Sequence, residues 1–183
     1  MIEIRLGDRY AKSIYELAEE RKEVEQVRDD FTLINQVCEQ NRDFRLLLAS
    51  PIVSTGKKKT ILKAIFEGKL SEMTDHLVDI IVRKKREKYL PDIAQRFLAL
   101  YDKRKNITRG TIVSATQLEP AQRQAIIDLV KQELHTDFQL TEEVDPELIG
   151  GFTLRIGDRL FDGSIAARLR DLQQQFKNNP YVK

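Results

Sequence analysis

Thr111-Ile112-Val113-Ser114 is the stretch on which the fold class turns. Three of its four residues branch at Cβ, which stiffens the side chain in a helix and suits a pleated strand. Upstream of it the chain reads as helix almost everywhere. Apolar residues keep a 3.6-residue period at Leu6, Tyr10, Ile14, Leu17 and Ala18, with Ala11 and Tyr15 widening the stripe. A second helix carries Val24, Val27, Phe31, Ile34, Val37 and Cys38. Asn41 is placed to cap a short third helix with Phe44, Leu47 and Leu48, which stops before Pro51. Ser54 or Thr55 caps a fourth with Ile61, Leu62, Ile65 and Phe66, stopped by Gly68. Ser71 opens a fifth with Leu77, Ile80 and Ile81, and a sixth carries Leu90, Ile93, Phe97, Leu100 and Tyr101. Pro91 either ends the fifth near Tyr89 or lies in the first turn of the sixth. Such short breaks predict an antiparallel bundle.

Downstream the period changes near Asn106. Pro120 starts a helix with Ile126, Ile127, Val130 and Leu134, and Phe138-Gln139-Leu140-Thr141 alternates as a half-buried strand does. Asp145-Pro146 marks a turn, and Gly150-Gly151 leads into the alternating run Phe152 to Ile156. Gly157-Asp158 turns the chain into Leu160-Phe161, and Asp162-Gly163-Ser164 starts a last helix with Ile165, Leu169, Leu172 and Phe176. The expected fold is α+β, mainly α: a six-helix bundle over residues 1–105, then a small α/β domain over 106–183.

Composition narrows the function. The chain has 183 residues, 41% apolar and 33% charged, enough apolar material for a core. One Cys and two His exclude an intrachain disulfide and leave little for a metal cage. The apolar runs Leu46 to Ala49 and Ile80 to Val82 fall far short of the ~20 residues of a membrane helix. Met1-Ile2-Glu3-Ile4 shows no signal core, so a soluble protein acting where it is made is expected. Cys38 sits on an apolar stripe and reads as an inert thiol. His76 reads as a helix-flank residue, since neighbouring Asp75 points elsewhere, and His135 reads as a helix end. Asp158 and Asp162 suit a turn and a helix cap without catalysis. Gly150-Gly151 precedes a strand, whereas a dinucleotide loop follows one, and no phosphate-loop pattern occurs. No acid, base and nucleophile are spaced for an enzyme, and no cofactor is expected.

Charge is divided unevenly. Residues 1–105 hold 22 Lys and Arg against 18 Asp and Glu, and residues 106–183 hold 9 against 11. Basic clusters stand at Lys57-Lys58-Lys59, Arg83-Lys84-Lys85-Arg86 and Lys103-Arg104-Lys105. They fit a solvated face, contact with an acidic protein surface or lipid headgroups, or a nucleic-acid-binding adaptor, the last with few aromatics for stacking. On the first helix, Tyr10, Ala11, Ile14 and Tyr15 spread too widely for all to point into one small core: each residue alone reads as core packing, and part of the face is free to line a groove for a partner helix.

The run Arg9-Tyr10-Ala11-Lys12-Ser13-Ile14-Tyr15-Glu16-Leu17-Ala18 resembles the N-terminal signature of the delta subunit of F-type ATP synthases, the oligomycin-sensitivity-conferring protein family. Leu48-Ala49-Ser50-Pro51-Ile52 with Lys59 and Ile61-Leu62 is similar to it too, as is Arg86 followed by Leu90 and Ile93. The C-terminal likeness runs through Val113-Ser114-Ala115, Leu118, Val144-Asp145-Pro146-Glu147-Leu148-Ile149-Gly150-Gly151, Gly157-Asp158 and Asp162-Gly163-Ser164-Ile165. Ser13, where the family often has Ala, and the basic Lys84-Lys85 are small departures. The resemblance implies a non-catalytic stator subunit, peripheral on the cytoplasmic face of the inner membrane. Its first domain would grip N-terminal helices of the alpha subunits, and its second the distal end of the b subunits. The implied groove lies between the first and fifth helices, at Tyr10, Ala11, Ile14, Leu77, Val78 and Ile81. There, Ile14→Asp or Ile81→Asp is expected to weaken alpha binding and spare the fold. Gly150, Gly151, Asp162, Gly163 and Ser164 are implied to be structural.

Overall fold

In the computed structural model the backbone is described for residues 2–177, and side-chain surroundings for 6–170, 173 and 174. The protein is mainly helical with one four-stranded sheet, an α+β arrangement. Its contacts divide it into two compact units, Met1–Arg104 and Lys105–Lys183.

The first unit contains α1 (Ile2–Arg21), α2 (Val24–Gln40), α3 (Arg42–Ala49), α4 (Thr55–Phe66) and α5 (Glu72–Arg83), with α6 (Leu90–Lys105) after a 3-10 turn at Glu87–Tyr89. Pro91 lies in the first turn of α6, where its missing N–H costs nothing. α2 packs against α1, α3 and α5, and α4 against α5. Phe31 and Phe97 stack at 4.4 Å in the core, and Ile34, Leu48, Ile81, Leu90 and Ile93 are fully buried.

Helix starts follow the cap logic in two cases. The Ser54 hydroxyl accepts from the Lys57 N–H at 3.4 Å, and the Ser71 hydroxyl accepts from the Thr74 N–H at 3.3 Å. Asn41 departs from its expected role: its side chain makes no cap bond and donates back to the Val37 carbonyl at 3.2 Å, closing α2 instead of opening α3. The α1 stripe follows the core-packing reading at three of its positions. Ala11, Ile14 and Tyr15 are all buried, because α1 is covered from two sides. α2 packs on one flank, and on the other Tyr15 meets Phe97 of α6 with ring centres 6.0 Å apart.

The second unit contains β1 (Ile107–Ser114), α7 (Pro120–Leu134), β2 (Asp137–Val144), β3 (Phe152–Ile156), β4 (Arg159–Asp162) and α8 (Ile165–Lys177). The strand order is β2-β1-β3-β4. β1 and β2 are parallel, as the crossover helix α7 requires, and β3 is antiparallel to both β1 and β4. β1 starts four residues earlier than its β-branched stretch, since pairing with β2 from Ile107↔Asp137 onward supplies the hydrogen bonds that propensity does not. Ile112, Val130, Phe138 and Leu154 form the core, with Ile126, Ile127, Leu134 and Phe152 packed against it. The turn Gly157-Asp158 joins β3 to β4, with Gly157 at φ 55°. Leu172 and Phe176 of α8 lie outside the described side chains.

Candidate partner-binding faces

The six expected groove residues sit on α1 and α5, and nearly all are already covered. Ile81 is 0% exposed, Ala11 1%, Ile14 4%, Val78 6% and Leu77 9%. Tyr10 is half-buried. The end of α5 is tied to α1 through Arg86, whose Nη1 donates to the Tyr10 hydroxyl at 3.0 Å while its guanidinium lies 6.0 Å from the ring centre. A charge at Ile14 or Ile81 would therefore be buried and unpaired, so the expectation that Asp there spares the fold fails. The apolar side chains that this face offers outward are Leu17, 38% exposed, and Ile80, 47% exposed. Each stands three residues along its helix from a buried member of the set, Ile14 and Leu77.

The basic clusters are not uniformly solvated. Lys58 is 4% exposed, donating to a Glu87 carboxylate oxygen at 2.8 Å and to the Leu48 carbonyl at 2.7 Å. It joins α4 to the end of α3 and to the turn before α6. Lys59 donates to Asp79 at 2.8 Å, and Arg83 lies 3.8 Å from the same carboxylate. The Lys59 hydrogen bond holds the Asp79 carboxyl below its ordinary value. A second buried polar link was not legible in the sequence. Asp30, on the core side of α2, accepts from the Ser71 backbone N–H at 3.0 Å and from the Ser71 hydroxyl. The cap of α5 is thereby anchored to α2.

In the second unit the glycine and Asp-Gly-Ser motifs meet. The Gly150 carbonyl accepts from the Ile165 N–H at 3.0 Å, and the Phe152 carbonyl accepts from the Gly163 N–H at 2.9 Å. A Cβ on Gly151 would lie 2.4 Å from the Gly163 carbonyl oxygen, and its φ of 82° is open only to glycine at low cost. Asp162 accepts from the Ser164 N–H at 3.0 Å, and the Ser164 hydroxyl accepts from the Ala167 N–H at 3.1 Å, capping α8. Hydrogen bonding from Ser164 lowers the Asp162 carboxyl from its ordinary value. These five residues thus hold α8 to the start of β3.

A cavity of about 1080 Å³ opens on one face of the same sheet. α7 packs over β2, leaving the β3–β4 half less covered. Phe152, Leu154 and Ile156 alternate onto this face, and Phe161 joins them because it pairs with Leu154. Ile126 and Leu129 of α7 form the side wall. Leu129 is 63% exposed and Phe161 52% exposed. The sequence held a signal for this groove: Leu129 is an apolar residue that the Ile126, Ile127, Val130, Leu134 stripe does not need.

Remaining chemistry is structural. Cys38 is 2% exposed, and burial pushes its thiol up to about 11. His76 Nδ1 lies 2.7 Å from the Glu72 carbonyl of its own helix. His135 ends α7 in the left-handed conformation at φ 52°. Among the described residues no three His, Cys, Asp or Glu are gathered as a metal site, and no helix is long and apolar enough to cross a membrane.

Comparison with known proteins covers nearly the whole chain. Residues 6–176 match the family model described as ATP synthase delta (OSCP) subunit. The chain is 34% identical over 175 residues to "ATP synthase subunit delta" of Lactobacillus gasseri, covering 95% of this chain and 96% of the relative. It is 30% identical over 178 residues to the protein of that name from Christiangramia forsetii, covering 97% and 96%. Among solved structures it is similar to a chain in the cryo-EM structure of the Toxoplasma gondii mitochondrial ATP synthase hexamer, with a TM-score of 0.69, 26% identity, and 95% and 98% of the two chains covered. With the match spanning both units, the chain belongs to the ATP synthase delta (OSCP) subunit family, non-catalytic components of the peripheral stalk of F-type ATP synthase.

Proposed function

We propose that this subunit ties the catalytic head to the membrane-anchored stator through two separate faces, one on each unit. Residues 1–105 act as a six-helix bundle that grips N-terminal helices of the alpha subunits. Residues 106–183 hold the distal end of the b subunits. The subunit acts as one copy, bound peripherally at the cytoplasmic face of the inner membrane.

The observation that carries this reading is the groove beside α7. An open sheet face walled by Leu129 and Phe161 is an unusual expense of apolar surface unless a helix covers it. The b-subunit end is its occupant in this reading. In the first unit, Tyr10, Ala11, Ile14, Leu77, Val78 and Ile81 form the apolar floor beneath an alpha helix, and Leu17 and Ile80 make the outer contact. Each apolar anchor contributes about 1.5–3 kcal/mol when fully covered, so several together exceed the cost of association. Two grips on one chain also raise the effective concentration of each for the other. That suits a link which must persist while the motor delivers torque.

The test uses the full chain with two single substitutions at exposed positions. Phe161→Asp is expected to abolish capture of the b subunit and spare the alpha contact, and Ile80→Asp is expected to do the reverse. Loss of both contacts in either variant, or of neither, counts against two independent faces.

A further inference from the structure

We propose that the turn after α5, residues 83–88, is a polybasic docking corner. It receives a carboxylate-rich protein surface of the catalytic head and governs the rate at which the first unit engages it. This rests on the peripheral-stalk reading above.

The turn reads Arg83-Lys84-Lys85-Arg86-Glu87-Lys88, five cations and one anion. The anion is turned inward. Glu87 is 6% exposed and is paired with buried Lys58 at 2.8 Å, so its charge is compensated from inside the unit. What the turn presents to solvent is positive: Arg83, Lys84, Lys85 and Lys88 are exposed, and Arg86 is half-buried.

The backbone holds these cations in a fixed arrangement. The Lys85 N–H donates to the Val82 carbonyl at 2.9 Å and the Arg86 N–H to the Ile81 carbonyl at 3.0 Å, the double closure of a Schellman motif. Lys85 occupies its left-handed position at φ 57°, where glycine is the usual residue. Arg86 is further fixed on Tyr10 of α1. Neighbouring carboxylates have nearer partners outside the turn: Asp79 lies 2.8 Å from Lys59 and 3.8 Å from Arg83, and Asp8 lies 2.9 Å from Arg96, which leaves Lys84 and Lys85 as the exposed charges the corner presents.

The corner adjoins the proposed alpha-binding face through the Arg86–Tyr10 bond, so its complement is the head, and carboxylates are the complementary charge. Nucleic acid would call for bases stacked on aromatic rings. The two rings here, Tyr10 and Tyr89, instead carry Arg86 at 6.0 Å and Lys88 at 4.5 Å. A lipid surface would call for several apolar anchors among the charges; every exposed side chain of the turn is ionic, and the single exposed apolar residue near it on α5, Ile80, is assigned to the proposed alpha contact. Exposed charges act on affinity chiefly through the encounter rate and leave dissociation nearly unchanged.

The experiment measures association of the full-length subunit with catalytic heads stripped of it, at roughly 50 and 500 mM salt. Wild type is expected to associate about tenfold more slowly at high salt. The Lys84→Glu/Lys85→Glu variant is expected to start about tenfold slower at low salt, lose most of the salt dependence, and keep the wild-type dissociation rate. A control with the same charge change elsewhere, Lys69→Glu/Lys103→Glu, is expected to track wild type. Equal rates for wild type and the corner variant overturn the proposal, as does an equal slowing in the control. If wild type fails to bind heads at either salt, the stalk reading itself falls. Loss of binding to phosphatidylserine vesicles in the corner variant, with head association unchanged, would make the corner a lipid site and overturn the proposal.

Discussion

Removing the amine of Lys58 would strand the Glu87 carboxylate in the interior, where one of its oxygens, Oε2, already lacks a hydrogen-bond partner. Breaking one side of a buried pair costs about 3–5 kcal/mol, whereas replacing both sides by apolar residues is often neutral. Lys58→Met is therefore expected to lower the urea midpoint of the first unit sharply, and Lys58→Met/Glu87→Leu to restore most of it. A double variant no better than the single would show that the pair is not the cause. Cys38 gives a second test. With its thiol pushed up to about 11 and 2% exposed, it stays neutral and shielded at pH 8. A thiol reagent is expected to label it only after denaturant is added. The Cys38 reading could be made from its place on an apolar stripe. The Lys58 role could not, because a lysine between two lysines looks like any solvated run until the partner 29 residues away is brought to it.

At the scale of elements, caps and turns were legible because their chemistry is local. Ser54, Ser71 and Ser164 accept from backbone N–H groups within three residues. Gly151 is different in kind: what forbids a side chain there is the Gly163 carbonyl, 12 residues on. Gly151→Ala is expected to destabilise the second unit by about 2 kcal/mol or more, from strain at positive φ and the backbone clash together. A melting temperature within a degree of wild type would refute that account. Asp79 links α5 to α4 and carries a pH dependence. Its folded value is lowered, so the stability it adds is present above its unfolded value and is lost as pH falls through the folded one. The carboxylate is half-buried and its Lys59 partner is more exposed, so solvent screens the pair and the effect is modest. Asp79→Asn is expected to flatten the acid limb of melting temperature against pH below about pH 4, and an unchanged limb would assign that limb to other carboxylates. α1 shows where element-level reading stopped. Its stripe gave a helix with a wide apolar face, but not the two neighbours that bury Ala11, Ile14 and Tyr15.

For the whole molecule, the proposed function gives each of the two compact units, Met1–Arg104 and Lys105–Lys183, its own partner. A stator link needs grips that fail independently, and the expected outcome is that Phe161→Asp and Ile80→Asp lose different partners, as scored by co-purification from membranes at high salt. Residual rotation of the head in either variant should uncouple proton flow from phosphorylation. Retention of full coupling by both variants would deny these faces their role. The chain's own pattern determined the helix and strand inventory, the change of architecture near Asn106, the serine caps though not that of Asn41, and the family, because periodicity, β-branching and hydrogen-bonding side chains act over a few residues. Only the tertiary structure decided which apolar residues face a neighbour and which face water. It alone paired Lys58 with Glu87 and left Leu129 and Phe161 beside an open sheet, since burial depends on what other segments cover, and no local pattern encodes that.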